Sequence, residues 1–379
     1  MTNSTILANA RIVLSDEVVE GSLAIEDGKI AEILPGRSFG GEDLGGDFLL
    51  PGLVELHTDQ IEGHHHPRSG VVWNEIAAIQ AHDGQVATSG ITTVLDAMRV
   101  GTDENTRSKA EDVAELAAAL GRATSEGRLR AEHFLHLRCE VSADDAVDGF
   151  ALLQEHPRLK LVSLMDHAPG QRQFQDMDAL KAYLTDKFAM SDAEFEDYAA
   201  TRIAQSQRNA PGHRRAIADA CAARGIALAS HDDATIAHVE EAVALGTRIA
   251  EFPTSIAAAR ASREAGMKVL MGAPNVVRGR SHSGNISAIA LLRAGLLDVL
   301  SSDYVPFSLI QAVFALADGS EADLPTATRL ASTNPAAAIG LTDRGTIAEG
   351  HRADLTRISH RTGEPPVVRA VWREGRRVA

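Results

Sequence analysis

The sequence is poor in several features that would by themselves assign a chain of 379 residues to a class. It has two cysteines, too few for a disulfide framework, so a reducing compartment is expected. It contains no run of about 18 apolar residues, so we expect no membrane-spanning helix. The amino-terminal residues have neither the basic nor the apolar part of a signal peptide, which favours a cytoplasmic protein.

Positive charge is also scarce, with 37 Lys and Arg against 52 Asp and Glu and a formal net charge of −15. This balance argues against nucleic acid or an anionic membrane as the main partner. It still allows an anionic small molecule, because a local group of arginines can reverse the field inside a cleft. Lysine is especially rare, and none of the lysines ends a predicted strand beside a candidate metal ligand.

The two ends of the chain differ from its middle. Residues 5–14 and 18–34 have the pattern of short strands, with the hairpin signal Asp27-Gly28 inside the second segment. Residues 345–378 again suggest strands and turns. We therefore predict a small β domain, a β-sandwich, formed by residues 1–50 plus 345–379, and a second domain spanning 51–344.

In the middle of the chain, short apolar runs alternate with segments of helical period, which predicts parallel strands joined by helices. The candidate strands are 53–57, 91–96, 132–138, 160–166, 226–230, 248–252, 268–272 and 297–302. Eight such units predict an α/β fold, a (β/α)₈ barrel. The alternative, an open doubly wound sheet, is less favoured because its phosphate-binding Gly-x-Gly-x-x-Gly turn is missing. The polar segment 171–210 is predicted to be a helical insertion.

Most candidate strands end in a group that can bind a metal. The groups follow the first, third, fourth, fifth and eighth candidate strands, and they are His57 with Asp59, Glu140, His167, His231 and Asp303. The carboxyl ends of barrel strands meet at one mouth, so these residues are expected to converge. One such residue alone would more often be a surface hydrogen-bonding group. The joint occurrence of six favours a metal site.

The motifs around these residues resemble the amidohydrolase superfamily and, within it, the PhnM family of the carbon–phosphorus lyase pathway. The stretches that carry the resemblance are 51–59, His64-x-x-Pro67-Arg68, 165–174, 230–233, 272–285 and 300–304. The usual first motif of the superfamily, His-x-His, is His57-x-Asp59 here. The resemblance implies a distorted barrel of amidohydrolase type. It also implies hydrolysis of α-D-ribose 1-methylphosphonate 5-triphosphate to the 5-phosphate and diphosphate, an acid-anhydride hydrolase activity.

A site of this kind implies divalent transition metals, two per chain, with Zn²⁺ first and Fe²⁺ or Mn²⁺ as alternatives that the sequence does not separate. His57 and Asp59 would hold one ion with Asp303, and His167 and His231 the other. Glu140 would bridge them, in the place that many relatives give to a carbamylated lysine. Asp303 is also the predicted catalytic acid and base, because it is placed to take the proton of the attacking water.

A triphosphate also needs a cationic cradle. The candidates near strand-end motifs are His64, Arg68, Arg172, Arg278, Arg280, His282 and Ser283. The run 275–285 is the most specific of them, and we predict it as a polyphosphate loop before a helix. Arg214 and Arg215 are expected on a solvated helix face. Asp166 is a candidate for orienting His167, and Asp232 or Asp233 for orienting His231.

Two other functions remain open. The same fold could hydrolyse a C–N bond in a cyclic amide or an aminated base, although an uncharged amide needs no arginine-rich loop. The chain could also be a phosphate-binding scaffold without activity, which the complete ligand set argues against. The expected partner is an anionic phosphorylated sugar phosphonate, with a second copy of the chain as a further candidate.

Overall fold

The computed structural model describes residues 4–38, 40–102, 109–172, 177, 180–181, 185, 190–281 and 285–379. The predicted site residues His282 and Ser283 lie outside this part of the chain. Among the described residues, no helix is both long enough and apolar enough to cross a membrane.

Strands and helices alternate through most of the chain. The strands are β1 Ser4–Val13, β2 Val18–Glu26, β3 Lys29–Pro35, β4 Glu42–Asp43, β5 Phe48–Pro51, β6 Leu53–Thr58, β7 Ile91–Val100, β8 Glu132–Glu140, β9 Leu159–Met165, β10 Ala227–His231, β11 Ile249–Glu251, β12 Lys268–Gly272, β13 Val299–Ser301, β14 Leu355–Ser359, β15 Val367–Arg373 and β16 Arg376–Arg377. The helices are α1 Gln60–His65, α2 Glu75–Thr88, α3 Ala110–Ser125, α4 Ala146–Leu153, α5 Asp192–Arg224, α6 Ile236–Ala244, α7 Ile256–Glu264, α8 Ala273–Arg278, α9 Ala288–Arg293, α10 Ser308–Asp318, α11 Leu324–Ala331 and α12 Thr333–Ala338.

The chain ends form one sheet, in which β1 to β5 and β14 to β16 take part. Its pairs are mainly antiparallel, such as β1 with β2 and β14 with β15. Alternating side chains build an apolar core beneath it, which includes Ile12, Leu23, Leu49 and Leu355, all fully buried. The joining of the two ends through β5 and β14 confirms that distant segments share this sheet.

The remaining strands form a second, parallel sheet in the order β6 to β13. Each of the eight candidate strands corresponds to one of them, so the predicted α/β barrel class is confirmed. The first and last strands come together where Thr58 and Asp303 form a parallel bridge. Because nearly every residue of β6 to β10 is buried, these strands appear in the sequence as short apolar runs.

The chain also divides into two compact units. Unit 1 consists of Met1–Asp96, Ala119–Phe134 and Met271–Ala379, and unit 2 of Ala97–Ala118 and Leu135–Leu270. Unit 1 contains the chain-end sheet together with β6 and β13, and unit 2 contains β9, β10, β11 and α5. The division into 1–50 plus 345–379 and 51–344 stays a prediction.

Unit 1 contains a fully buried ionic cluster between α2, β7 and β8. The His133 ring lies between two carboxylates, with Nδ1 2.8 Å from Asp96 Oδ2 and Nε2 3.3 Å from Asp83 Oδ1. Nε2 of His82 lies 2.7 Å from the other oxygen of Asp96. The backbone N–H groups of Arg130 and Ala131 donate to Asp83 over 2.8 and 2.9 Å. The cluster therefore ties the helix to both strands, and each carboxylate oxygen of Asp96 has a histidine partner.

Burial alone would lower the pKa of His133, but Asp96 and Asp83 outweigh it and raise that pKa from 6.5 to about 9. Burial would likewise raise the pKa of Asp96, but His133 and His82 lower it from 3.8 to about 2. His133 is thus an imidazolium at neutral pH. Its contribution to stability is complete below about 6.5 and is lost as the pH rises through about 9, whereas that of Asp96 is lost only as the pH falls through about 2.

We predict that Asp96→Asn lowers the stability of unit 1 by about 3–5 kcal/mol at pH 6, because it leaves a buried imidazolium without its main partner. Between pH 6.5 and 9 the deficit relative to wild type should shrink, since the unfolded wild type loses the His133 proton above about 6.5 while the folded wild type keeps it up to about 9. Denaturant unfolding at pH 6, 7.5 and 9 measures this. A deficit that does not depend on pH would contradict the charge assignment.

Candidate functional site

Unit 1 brings together three of the predicted ligands at the ends of its first and last barrel strands. His57 is buried near the end of β6, and its Nε2 lies 3.3 Å from Asp59 Oδ1. Asp303 follows β13 and has a left-handed backbone, with φ 54°. One ligand atom from each of His57, Asp59 and Asp303 lies within 4.8 Å of the others. An imidazole and two carboxylates at this spacing suit a divalent cation.

Backbone pairing explains why these three side chains converge. The N–H of Asp303 donates to the carbonyl of His57 over 3.0 Å, and the N–H of Asp59 donates to the carbonyl of Asp303 over 3.1 Å. Two backbone hydrogen bonds thus accompany the isolated parallel bridge between Thr58 and Asp303 and bring the ligands together. That these three residues bind one metal ion stays a prediction.

Glu55 strengthens the same junction, although no motif in the sequence pointed to it. Its Oε1 accepts hydrogen bonds from the His57 N–H and the Ser301 hydroxyl, each over 2.6 Å, and its Oε2 accepts from the Ser302 N–H over 2.5 Å. Burial raises the pKa of this fully buried carboxyl, and the hydrogen bonds oppose that rise. Glu55 therefore joins the two strands directly below the ligands that they carry. The sequence feature that could have identified Glu55 is a carboxylate between apolar residues of a predicted strand.

Unit 2 contains a second group at the ends of β9 and β10. Nε2 of His231 lies 3.5 Å from Asp232 Oδ2, and Nε2 of His167 lies 3.8 Å from the same oxygen. The two imidazole rings meet edge to face with their centroids 5.7 Å apart. Asp232 Oδ2 is buried and accepts no hydrogen bond from the described residues. A buried carboxylate oxygen facing two imidazole nitrogens fits a cation ligand.

Two fully buried glutamates contact the opposite nitrogens of these rings. Glu140 Oε2 lies 2.6 Å from Nδ1 of His167, and its Oε1 accepts the backbone N–H of that residue over 3.1 Å. Glu251 Oε2 lies 3.2 Å from Nδ1 of His231. Burial alone would raise the pKa of Glu140, but His167 and Arg99 outweigh it and hold the pKa well below its ordinary value. Both rings are thus fixed by carboxylates, and no motif in the sequence pointed to Glu251 or Arg99.

The polar face of α5 packs into unit 2, which corrects one expectation. Arg214 does not lie on a solvated face: it is buried, and its guanidinium donates to Asp166 over 2.8 Å and to Glu241 over 3.3 Å. Ser206, two turns earlier, donates to the same oxygen of Asp166 over 2.8 Å. Asp166 therefore ties α5 to the end of β9, while the ring of His167 is held by Glu140.

The predicted phosphate-binding residues have unequal surroundings. Arg172 is buried, and its guanidinium donates to Asp233 and, over 2.9 Å, to Glu241. Arg68 and Arg278 are exposed. His64 is half-buried, with its Nε2 3.0 Å from Gln85 Oε1. Of these residues, Arg172 already forms ion pairs with two carboxylates of the protein.

The predicted loop at 275–285 begins inside a helix, because α8 extends to Arg278 and ends at Gly279, whose φ is 72°. The Asn275 side chain accepts the N–H of Ala288 over 3.0 Å at the start of α9. Asn275 therefore holds the two ends of the connecting segment together. Arg280, which follows Gly279 in this segment, is exposed.

Comparison with known proteins places this geometry in a family. Residues 199–379 match the profile of the Amidohydrolase family. The chain is 46% identical over 377 residues to the alpha-D-ribose 1-methylphosphonate 5-triphosphate diphosphatase of Escherichia coli (strain K12), covering 98% of this chain and 100% of that protein.

Solved structures share the fold at lower identity. The 5-methylcytosine deaminase from Klebsiella pneumoniae superposes with a TM-score of 0.66 at 16% identity, covering 99% of this chain and 98% of the other. The N-acetylglucosamine-6-phosphate deacetylase from Pasteurella multocida gives 0.63 at 15% identity, covering 99% of both chains. These similarities concern the fold alone.

We predict that Glu55→Ala weakens Zn²⁺ binding by His57, Asp59 and Asp303 roughly 10- to 100-fold, as the loss of an outer partner of metal ligands typically does. The reason is that two buried N–H groups and a hydroxyl lose their acceptor. Competition with a chromogenic chelator measures the affinity. Glu55→Gln, which keeps an acceptor oxygen, should recover part of it. A less stable protein with unchanged affinity would limit Glu55 to a structural role.

Proposed function

Because this chain belongs to the amidohydrolase family, and to the same family as the Escherichia coli (strain K12) diphosphatase, we propose that it hydrolyses α-D-ribose 1-methylphosphonate 5-triphosphate. The products would be the 5-phosphate and diphosphate, in phosphonate catabolism. The full-length identity of 46% carries this proposal. A cytoplasmic location and an anionic sugar phosphonate as the partner belong to the same proposal.

The proposal assigns divalent cations to both ligand groups, with Zn²⁺ as the first candidate. His57, Asp59 and Asp303 would hold one ion, and His167 and His231 would contribute to holding another. Bound cations of this kind lower the pKa of coordinated water to about 7 and neutralise phosphate charge. The bridging role of Glu140 stays a prediction.

Asp303 is the residue that we propose to accept the proton of the attacking water and to return it to the leaving group. Its backbone is fixed on both sides, since its N–H and its carbonyl pair with His57 and Asp59. The carboxylate is half-buried, so it can reach solvent-derived water without losing its fixed position. A positioned carboxylate is the usual general base in such hydrolyses.

Exposed guanidiniums are proposed to bind the phosphates, with Arg278 first and Arg68 and Arg280 as further candidates. These side chains are exposed, whereas Arg172 is already matched by Asp233 and Glu241. His64, His282 and Ser283 stay candidates from the sequence. Planar bidentate contacts make arginine suited to this task.

Hydrolysis of a C–N bond is the rival activity. The deaminase and deacetylase relatives share the fold at 15–16% identity, which does not extend to the reaction. Release of diphosphate from the triphosphate substrate, measured beside ring opening of cyclic amides and release of ammonia from aminated bases, separates the two activities. Ring opening or ammonia release without diphosphate would overturn our proposal.

We predict that Asp303→Asn lowers kcat for diphosphate release by about 10²- to 10⁴-fold, because the general base is lost. Metal content should be measured in parallel, since Asp303 is also a proposed ligand. Asp16→Asn, at an exposed turn of the chain-end sheet, is the matched control and should retain full activity. Retention of activity by Asp303→Asn with its metal bound would refute the assigned role.

We predict that Arg278→Ala raises KM for the triphosphate substrate roughly 10- to 100-fold, the loss expected for about 1.5–3 kcal/mol of a charge-assisted contact. Arg215→Ala removes an equally exposed arginine from α5 and should leave KM unchanged. Steady-state kinetics on both variants decide the point. Equal KM values would remove Arg278 from the phosphate cradle.

A further inference from the structure

We infer that Gln60 is a positioning residue for Asp303, because it holds the turn that carries this carboxylate against the start of α1. The side-chain Nε2 of Gln60 donates to the backbone carbonyl of Tyr304 over 2.5 Å, across 244 positions of the chain. The inference rests on the proposed function, in which Asp303 accepts the proton of the attacking water. It assigns Gln60 no contact with a cation or with the substrate.

Asp303 occupies the first central position of a tight turn. The N–H of Val305 donates to the carbonyl of Ser302 over 3.0 Å, which closes the turn 302–305. The φ of Asp303 is 54°, as types I′ and II′ require at this position. A left-handed backbone costs free energy for residues other than glycine and persists where the surroundings fix it. The direction of the Asp303 carboxylate therefore depends on the bonds that maintain this turn.

Gln60 supplies a side-chain bond to the peptide that closes the turn. The peptide between Tyr304 and Val305 is held at its N–H by the turn itself and at its carbonyl by Gln60. The bonds between Asp303 and the end of β6 are made by the backbone, so a substitution leaves their donors and acceptors in place. Gln60 is therefore a position at which support for the turn can be removed without removing a candidate ligand.

The fold explains how a residue after the first barrel strand reaches the turn after the last one. Gln60 is the first residue of α1, which begins shortly after β6 ends. The ends of β6 and β13 lie together, since Thr58 and Asp303 form a parallel bridge. The start of α1 therefore lies beside the turn 302–305. A long amide side chain at this first helical position can donate to the turn while its backbone continues the helix.

Hydrogen exchange of the full chain tests the contact itself. Gln60→Met keeps the length of the side chain and removes the donor, so the amides of 302–305 should exchange roughly 5- to 10-fold faster than in the wild type. Gln60→Lys keeps a donor and should restore most of the protection. Asp323→Ala, which removes an exposed helix cap from α11 in the same unit, controls for a general loss of stability. Equal exchange in the wild type and Gln60→Met would overturn the inference.

Steady-state kinetics test the consequence for the reaction. Gln60→Met should lower kcat for diphosphate release roughly 5- to 10-fold and leave both KM and metal content unchanged, because only the placement of the base is affected. Asp323→Ala should keep the wild-type kcat. A raised KM with an unchanged kcat would instead make Gln60 a substrate-binding residue. Loss of metal together with activity would make it a support of the ligand group, and either result contradicts the inference.

Failure of the proposed function gives a different result. A wild-type chain that releases no diphosphate refutes the function, and hydrogen exchange then decides whether Gln60 holds the turn. A wild-type chain that releases diphosphate, with the same kcat in Gln60→Met, refutes the positioning role alone.

Discussion

Burial of carboxylates is the constraint on which the candidate site depends. A carboxylate removed from water must find donors or a cation, because the cost of leaving it unmatched exceeds the gain from most single contacts. Glu55, Glu140 and Glu251 are fully buried, and each accepts hydrogen bonds from neighbouring strands or their connections. Their donors include backbone N–H and hydroxyl groups near the candidate ligands. Matching the carboxylates therefore also fixes the positions of the imidazoles.

Because of this constraint, the same hydrogen bonds contribute to the stability of the fold and to the positions of the candidate ligands. The donors of Glu55 come from β6, from β13 and from the residue after β13, so the hydrogen bonds that join these strand ends also help to place His57 and Asp303. In unit 2, Glu140 contacts both the backbone and the ring of His167. A substitution at either glutamate thus affects the fold and the ligands together. Metal affinity must for that reason be measured apart from stability.

The sequence predicts the barrel well because its strands are buried on both faces and separated by helices of clear period. It also predicts that His57, His167, His231 and Asp303 occur where barrel strands end, and the structure places them there. It fails where a residue's role depends on a neighbour from a distant segment. Arg214 has the helical surroundings of a solvated residue, and only packing of α5 against Asp166 buries it.

Asp232 illustrates a second limit of the same kind. Strand alternation places it opposite His231, and the left-handed turn that reverses this direction is not visible in the sequence, since aspartate adopts it only in suitable surroundings. The role of Glu251 could not be predicted for a different reason: it is a single charged residue among apolar neighbours, with no ligand motif around it. Carboxylates inside buried strands are thus the most informative sequence signal that the ligand motifs omit.

The arrangement of arginines bears on how an acidic protein would bind an anion. Among the guanidiniums of unit 2 that donate to protein acceptors are those of Arg99, Arg172, Arg202 and Arg214. Arg99, Arg172 and Arg214 donate to carboxylates, so their charge is largely compensated before any substrate arrives. With a chain charge of −15, attraction for a polyphosphate must then come from exposed arginines and from bound cations. Cations in the two ligand groups would therefore serve substrate binding as well as water activation, and their removal should raise KM as well as lower kcat.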